Sequence, residues 1–84
     1  MKQVKIYTTP VCPYCVKAKT LLSSLNVPFE EVDVASQPDL RDKLIQEYNW
    51  MTVPAIFIDD ELVGGFDDIN ALHARGELMK KLEA

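Results

Sequence analysis

The apolar-rich run Val4-Lys5-Ile6-Tyr7 gives way to apolar residues at Cys15, Ala18, Leu21, Leu22 and Leu25, so a strand is expected to lead into a helix with one buried stripe. Asn26-Val27-Pro28 ends that helix, because Asn can take the left-handed conformation and Pro cannot continue it. Phe29-Glu30-Glu31-Val32-Asp33-Val34 has the apolar content of a sheet member. A strand, a helical crossover and a second strand in this order imply two parallel strands and a right-handed crossover. Ser36-Gln37-Pro38-Asp39 carries a helix start signal with Ser36 as the expected cap, and Leu40, Leu44, Ile45 and Tyr48 fall on one face that should pack on the sheet. Ala55-Ile56-Phe57-Ile58, a tight turn at Asp59-Asp60, and Glu61-Leu62-Val63 read as an antiparallel hairpin. Gly64-Gly65 breaks the strand, Asp67 or Asp68 is expected to cap a third helix bearing Ile69 and Leu72, and Gly76 interrupts before a terminal segment with Leu78, Met79 and Leu82. The order β-α-β-α-β-β-α predicts an α/β fold in which helices cover a small mixed sheet.

With 84 residues, 48% of them hydrophobic, the chain is expected to form one domain over residues 1–84, able to bury a core without metal or several disulfides. Met1-Lys2-Gln3-Val4-Lys5 runs straight into a strand pattern with no long apolar stretch before it. No run approaches the roughly 18 apolar residues of a membrane span. A soluble protein is expected, cytoplasmic or organelle-resident after processing. A net charge of −4 argues against broad binding to nucleic acid or anionic membranes.

The two cysteines lie three apart in Cys12-Pro13-Tyr14-Cys15 at the start of the first helix. A thiol there faces unpaired backbone N–H groups and the positive end of the helix dipole, which stabilise a thiolate. Cys12 is therefore the expected nucleophile. Cys15, one turn on, is within reach to close an intramolecular disulfide after Cys12 has been captured by another sulfur. A structural disulfide is the weaker reading, since so small a loop restricts the unfolded chain little. Half a zinc site is the other competing reading, but four ligands are needed and His73 is the only other soft donor, so zinc would need an oligomer or carboxylates. Pro13 pre-sets the helical φ and lacks an N–H that would be unpaired anyway.

Thr52-Val53-Pro54 precedes the hairpin. A cis bond at Pro54, which X–Pro bonds adopt only in a minority of cases, would turn the Val53 N–H and C=O outward as a template for an extended ligand. Beyond Gly64-Gly65, a helix N-terminus could receive a ligand carboxylate while an Asp side chain holds an ammonium; ordinary capping is the competing role for Asp67 and Asp68. Tyr14 lies next to the thiols, against a thiol substrate or as surface packing. Trp50 and Met51 belong either to the core or to an apolar rim for docking a partner protein. Lys17, Lys19 and His73 read as surface residues.

Cys12-Pro13-Tyr14-Cys15 after Ile6-Tyr7-Thr8, then Thr52-Val53-Pro54-Ala55-Ile56-Phe57-Ile58, then Gly64-Gly65-Phe66-Asp67-Asp68 closely resembles the dithiol glutaredoxins of the thioredoxin superfamily, in order and spacing, over essentially the whole chain. The resemblance implies a thioredoxin-like fold with a four-stranded mixed sheet, Pro54 in cis, and glutathione as cosubstrate with no tightly bound cofactor and no metal. Residue by residue, it implies that Cys12 takes the glutathionyl group and Cys15 resolves it. Tyr14 would line the groove and Thr52, Val53 and Pro54 would meet the cysteinyl backbone of glutathione. Gly65, Phe66 and Asp67 would hold its γ-glutamyl end. The sequence departs from the family in two places. Many members carry a lysine shortly before the nucleophile and a basic or glutamine residue before Thr-Val-Pro, where this chain has Thr8-Thr9-Pro10-Val11 and Asn49-Trp50-Met51; Thr9 can still offer a hydroxyl hydrogen bond. The family's usual cysteine after Gly-Gly is Phe66 here, so only backbone roles transfer.

The implied activity is glutathione-dependent reduction of glutathionyl mixed disulfides and protein disulfides by a monomer, with glutathionylated or disulfide-containing proteins, ribonucleotide reductase among the candidates, as partners. Two alternatives stand beside it. One is an electron donor reduced by a thioredoxin-type reductase. The other is a glutaredoxin holding a [2Fe–2S] cluster between two protomers, against which Pro13 counts.

Overall fold

The computed structural model describes residues 1–83. Strands β1 (Val4–Thr8), β2 (Phe29–Asp33), β3 (Ala55–Ile58) and β4 (Glu61–Gly64) and helices α1 (Pro13–Ser24), α2 (Pro38–Tyr48), α3 (Phe66–Ala74) and α4 (Leu78–Glu83) follow in the order β1-α1-β2-α2-β3-β4-α3-α4. They form one four-stranded sheet in the order β2-β1-β3-β4. β1 runs parallel to β2, from Val4 opposite Phe29 to Thr8 opposite Asp33, as the long helical crossover requires. β3 is antiparallel to both β1 and β4, the latter through the turn at Asp59-Asp60, so the sheet is mixed as expected.

β3 lies in the middle of the sheet with both faces covered, which explains why its four residues are apolar without alternation and all buried. Ile56 and Ile58 point to one face, where Ile6 of β1, Ala18 and Leu22 of α1, Ile69 of α3, and Leu78 and Leu82 of α4 close the larger core. Ala55 and Phe57 point to the other, with Val34, Leu44 of α2 and the partly buried Tyr7, Leu40 and Trp50. Each fully buried Ile or Leu contributes about 1.5–3 kcal/mol. α1 is tied off as its sequence indicates, with Asn26 in the left-handed region at φ 57°.

Several expected details fall differently. α2 is capped by Gln37, whose side chain makes no capping hydrogen bond, because Pro38 with its fixed φ takes the first helical position; Ser36 instead donates its hydroxyl to the Asp33 carbonyl at 3.1 Å. On α2 only Leu44 is buried, whereas Ile45 and Tyr48 remain exposed, Tyr48 packing edge-on against Phe57 at 5.1 Å between ring centres. The N-cap of α3 is Gly65; Asp68, three residues on, accepts the Gly65 N–H at 2.8 Å. The segment after Gly76 is a further helix, α4. It is only six residues long, too short to announce itself by periodicity, and is held by burial of Leu78 and Leu82 and by the Lys2 N–H donated to Leu82 O at 2.7 Å.

Candidate functional site

Cys12 is the residue from which α1 starts. Its backbone is extended, Pro13 occupies the first helical position, and its sulfur accepts the Cys15 backbone N–H at 3.1 Å. The sulfur thus fills the place that a Ser or Asp oxygen takes at other helix starts. Cys12 is half-buried, whereas Cys15 is 1% exposed beneath it. The Cys15 thiol is pushed up to about 12, by burial first and by its hydrogen bond with Cys12 second, against a backbone hydrogen bond from Thr9 and the charge of Lys19. Both thiols are free. The site therefore pairs a reachable sulfur under a backbone donor with a buried one that keeps its proton.

Across from Cys12 lies Val53, 41 residues away in sequence, whose carbonyl oxygen is 3.7 Å from the Cys12 sulfur. The Val53–Pro54 peptide bond is cis. The segment before Pro54 and the start of α3 face each other across a groove of about 330 Å³, within the size range of small-ligand sites. Thr52, Val53 and Pro54 form one side and Gly65, Phe66, Asp67 and Asp68 the other, with Tyr14 at the end nearest the cysteines. The structure brings these expected residues together. Thr9 is not among the lining residues; its backbone is turned to Cys15 instead. The Tyr14 and Phe66 rings lie 6.4 Å apart, and Lys17 Nζ sits 5.0 Å from the Tyr14 ring centre in a cation–π contact.

Trp50 is a wall of this groove. It sits between the two alternatives that its sequence left open, half-buried against the smaller core and open to the groove. Asn49, left-handed at φ 53°, reverses the chain after α2 and delivers Trp50 there, with its indole N–H aimed at the Pro54 carbonyl at a long 3.4 Å. Met51 is 66% exposed beside it. A second unexpected feature lies under the cysteines. Buried Thr8 donates its hydroxyl to Glu31 at 2.8 Å, and Lys19 pairs with the same Glu31 oxygen at 2.9 Å. The hydrogen bond from Lys19, then that from Thr8, holds the Glu31 carboxyl below its ordinary range. The sequence offered Lys19 only as a helical surface lysine, and no local signal pairs it with β2.

Among the described residues no three His, Cys, Asp or Glu side chains gather as a metal-binding group, and no helix is long and apolar enough to cross a membrane.

The Glutaredoxin family model matches residues 4–63. Glutaredoxin 3 of Escherichia coli is 47% identical over 78 residues, which span 93% of this chain and 94% of that protein. The solution structure of the dithiolic glutaredoxin of Trypanosoma brucei brucei superposes with a TM-score of 0.89 at 34% identity, covering 96% of this chain and 87% of that one. The crystal structure of a buckwheat glutaredoxin–glutathione complex superposes with a TM-score of 0.90 at 25% identity, covering 98% of this chain and 77% of that one.

Proposed function

This chain belongs to the glutaredoxin family of thiol-disulfide oxidoreductases, and from that premise we propose that it reduces glutathionyl mixed disulfides and protein disulfides with glutathione as the reductant. The observation that carries the reading is the unequal pair: a half-exposed Cys12 whose sulfur receives a backbone N–H at 3.1 Å, above a buried Cys15 whose thiol is held protonated. Cys12 as thiolate attacks one sulfur of the substrate disulfide; the S–S bond breaks, the partner leaves as a thiolate and takes a proton, and a mixed disulfide remains on Cys12. Where the group left on Cys12 is glutathionyl, a second glutathione thiolate attacks its sulfur, forming glutathione disulfide and returning Cys12 as a thiolate. Alternatively Cys15 loses its proton, attacks the Cys12 sulfur and releases the partner as a thiol, leaving the Cys12–Cys15 disulfide, which two glutathione molecules then reduce, leaving as glutathione disulfide.

In this reading the groove holds the glutathionyl part. The Val53 backbone pairs with its cysteinyl residue. The N–H groups at the start of α3, at Phe66 and Asp67, take the γ-glutamyl carboxylate, and the Asp67 side chain takes the ammonium. The buckwheat complex, a glutaredoxin of the same fold with glutathione bound, supports the ligand. The working form is a cytoplasmic monomer.

The test follows NADPH consumption during reduction of a small glutathionyl mixed disulfide, with glutathione plus glutathione reductase in one arm and thioredoxin reductase alone in the other. Turnover in the first arm is expected. Cys12→Ser should abolish reduction of both substrate types, whereas Cys15→Ser should spare the glutathionyl substrate and impair protein disulfide reduction. Equal loss from the two substitutions would overturn the roles. Turnover only in the second arm would overturn glutathione as the donor.

A further inference from the structure

One carboxylate oxygen gathers two chain segments beneath the cysteines. Glu31 Oε2 accepts the Thr8 hydroxyl at 2.8 Å and pairs with Lys19 Nζ at 2.9 Å, and Thr8 is itself 2% exposed. We propose that Glu31 is a positioning residue for the second step of exchange: through that single oxygen it holds Lys19 and the Thr8–Thr9 segment against Cys15, so that Cys15 closes the disulfide with Cys12. The inference rests on the reading of Cys15 as the resolving thiol.

The placement follows from register and helix spacing. Glu31 lies opposite Ile6 in the parallel β1–β2 pair, so it shares with Ile6 and Thr8 the face of the sheet on which α1 packs. Cys15 and Lys19 are four residues apart on α1, and long helical side chains lean toward the preceding turn, so the lysine held by Glu31 extends beside Cys15. Thr8 ends β1 and Thr9 follows it, so the hydroxyl bond to Glu31 also fixes the chain from which Thr9 gives its backbone hydrogen bond to Cys15. The Thr9 backbone and the Lys19 charge are the two groups that favour a Cys15 thiolate, whereas burial and Cys12 oppose it. Once Cys12 carries a glutathionyl group it is neither thiol nor thiolate, its charge no longer acts, and burial stands against Thr9 and Lys19. Neighbouring charges are committed elsewhere, Lys17 over the Tyr14 ring, Lys5 to Glu30, and Asp68 to the Gly65 N–H. In the step itself Cys15 gives its proton to solvent and its thiolate attacks Cys12 Sγ; the bond from Cys12 to the glutathione sulfur breaks, and glutathione leaves as a thiolate that takes up a proton.

The experiment mixes reduced protein with excess glutathione disulfide, quenches it in acid at set times and weighs it intact, which separates the Cys12 adduct from the intramolecular disulfide. The readout is the rate at which adduct becomes disulfide divided by the rate at which adduct forms. This ratio is expected to fall about tenfold in Glu31→Ala, the equivalent of about one pKa unit at Cys15. Lys19→Met, which loses one of the two held groups, should fall part of the way. Glu31→Gln keeps a carbonyl oxygen that accepts from both partners, and Lys19→Arg keeps the charge, so both should retain most of the ratio. An undiminished ratio in Glu31→Ala, or a Glu31→Gln ratio as low as that of Glu31→Ala, would overturn the proposal. An adduct that never closes in the unmodified protein would instead overturn the resolving role of Cys15 on which it rests.

Discussion

The backbone N–H of Cys15 points at the sulfur of Cys12 from 3.1 Å, so the residue that carries one thiol also supplies the donor that steadies the other. The arrangement is asymmetric, since Cys15 itself is buried against the core side of α1. Alkylation should therefore be sequential. At neutral pH iodoacetamide is expected to add once, at Cys12, and a second addition should appear only in strongly alkaline buffer as the medium approaches the Cys15 value of about 12. Peptide mass mapping reads this directly, and a first adduct on Cys15 would refute it.

The same raised value has a consequence for stability. The folded protein holds the Cys15 proton more tightly than the unfolded chain, whose thiol titrates near 9.0. The associated stability is intact below that pH and is lost as the pH rises towards about 12. Denaturant midpoints measured across the alkaline range should fall for the native sequence and fall less for Cys15→Ala.

Glu31 works in the opposite pH range. Its carboxyl is held down by Lys19 and Thr8, so its contribution is present above the ordinary value of 4.5 and is lost as the pH falls through the lowered folded value. Because the pair is largely solvent-exposed, the effect should stay under about 1 kcal/mol. Glu31→Gln is expected to flatten the acid limb of a stability–pH profile below about 4.5 while leaving the alkaline limb intact; an unchanged acid limb would dismiss the network.

Two glycines separate strain from space. Gly64, at φ 135°, has the Asp68 side chain where a Cβ would stand, whereas Gly76, at φ 72°, has nothing within 4 Å. Gly76→Ala should cost only the left-handed backbone, about 1–2 kcal/mol. Gly64→Ala should cost more and should also displace Asp68 from the start of α3, lowering both the thermal midpoint and glutathionyl turnover.

Neighbouring aspartates should likewise part company. Asp68→Ala removes the hydrogen bond to Gly65 and is expected to cost about 1 kcal/mol in stability. Asp67→Asn, at an exposed position, should cost about 0.3 kcal/mol yet lower kcat/KM for the glutathionyl substrate about tenfold. Equal effects of the two on stability and turnover would refute the division.

The strands, the first helix and its end at Asn26, and the antiparallel hairpin around Asp59-Asp60 could be read from the chain because each depends on backbone sterics and spacing within a few residues. So could the coupling of Pro13 to a helix start at Cys12. The caps of α2 and α3 were misplaced for the same local reason. Pro38 and Gly65 compete with Ser36 and Asp67 for nearly the same position, and the outcome turns on backbone angles that side-chain identity only biases.

The amino-acid sequence by itself determined the order of elements, the dithiol at a helix start and, through three separated motifs, the family. Only the tertiary structure decided that Cys15 is buried and Cys12 only half-buried, that α4 exists, that Lys19 is held by Glu31, and that Trp50 forms a wall of the groove. These outcomes depend on the sheet order β2-β1-β3-β4, which carries residues some forty to fifty positions apart to one end of the sheet. Charge, burial and access at that end are sums over neighbours that no stretch of sequence contains together.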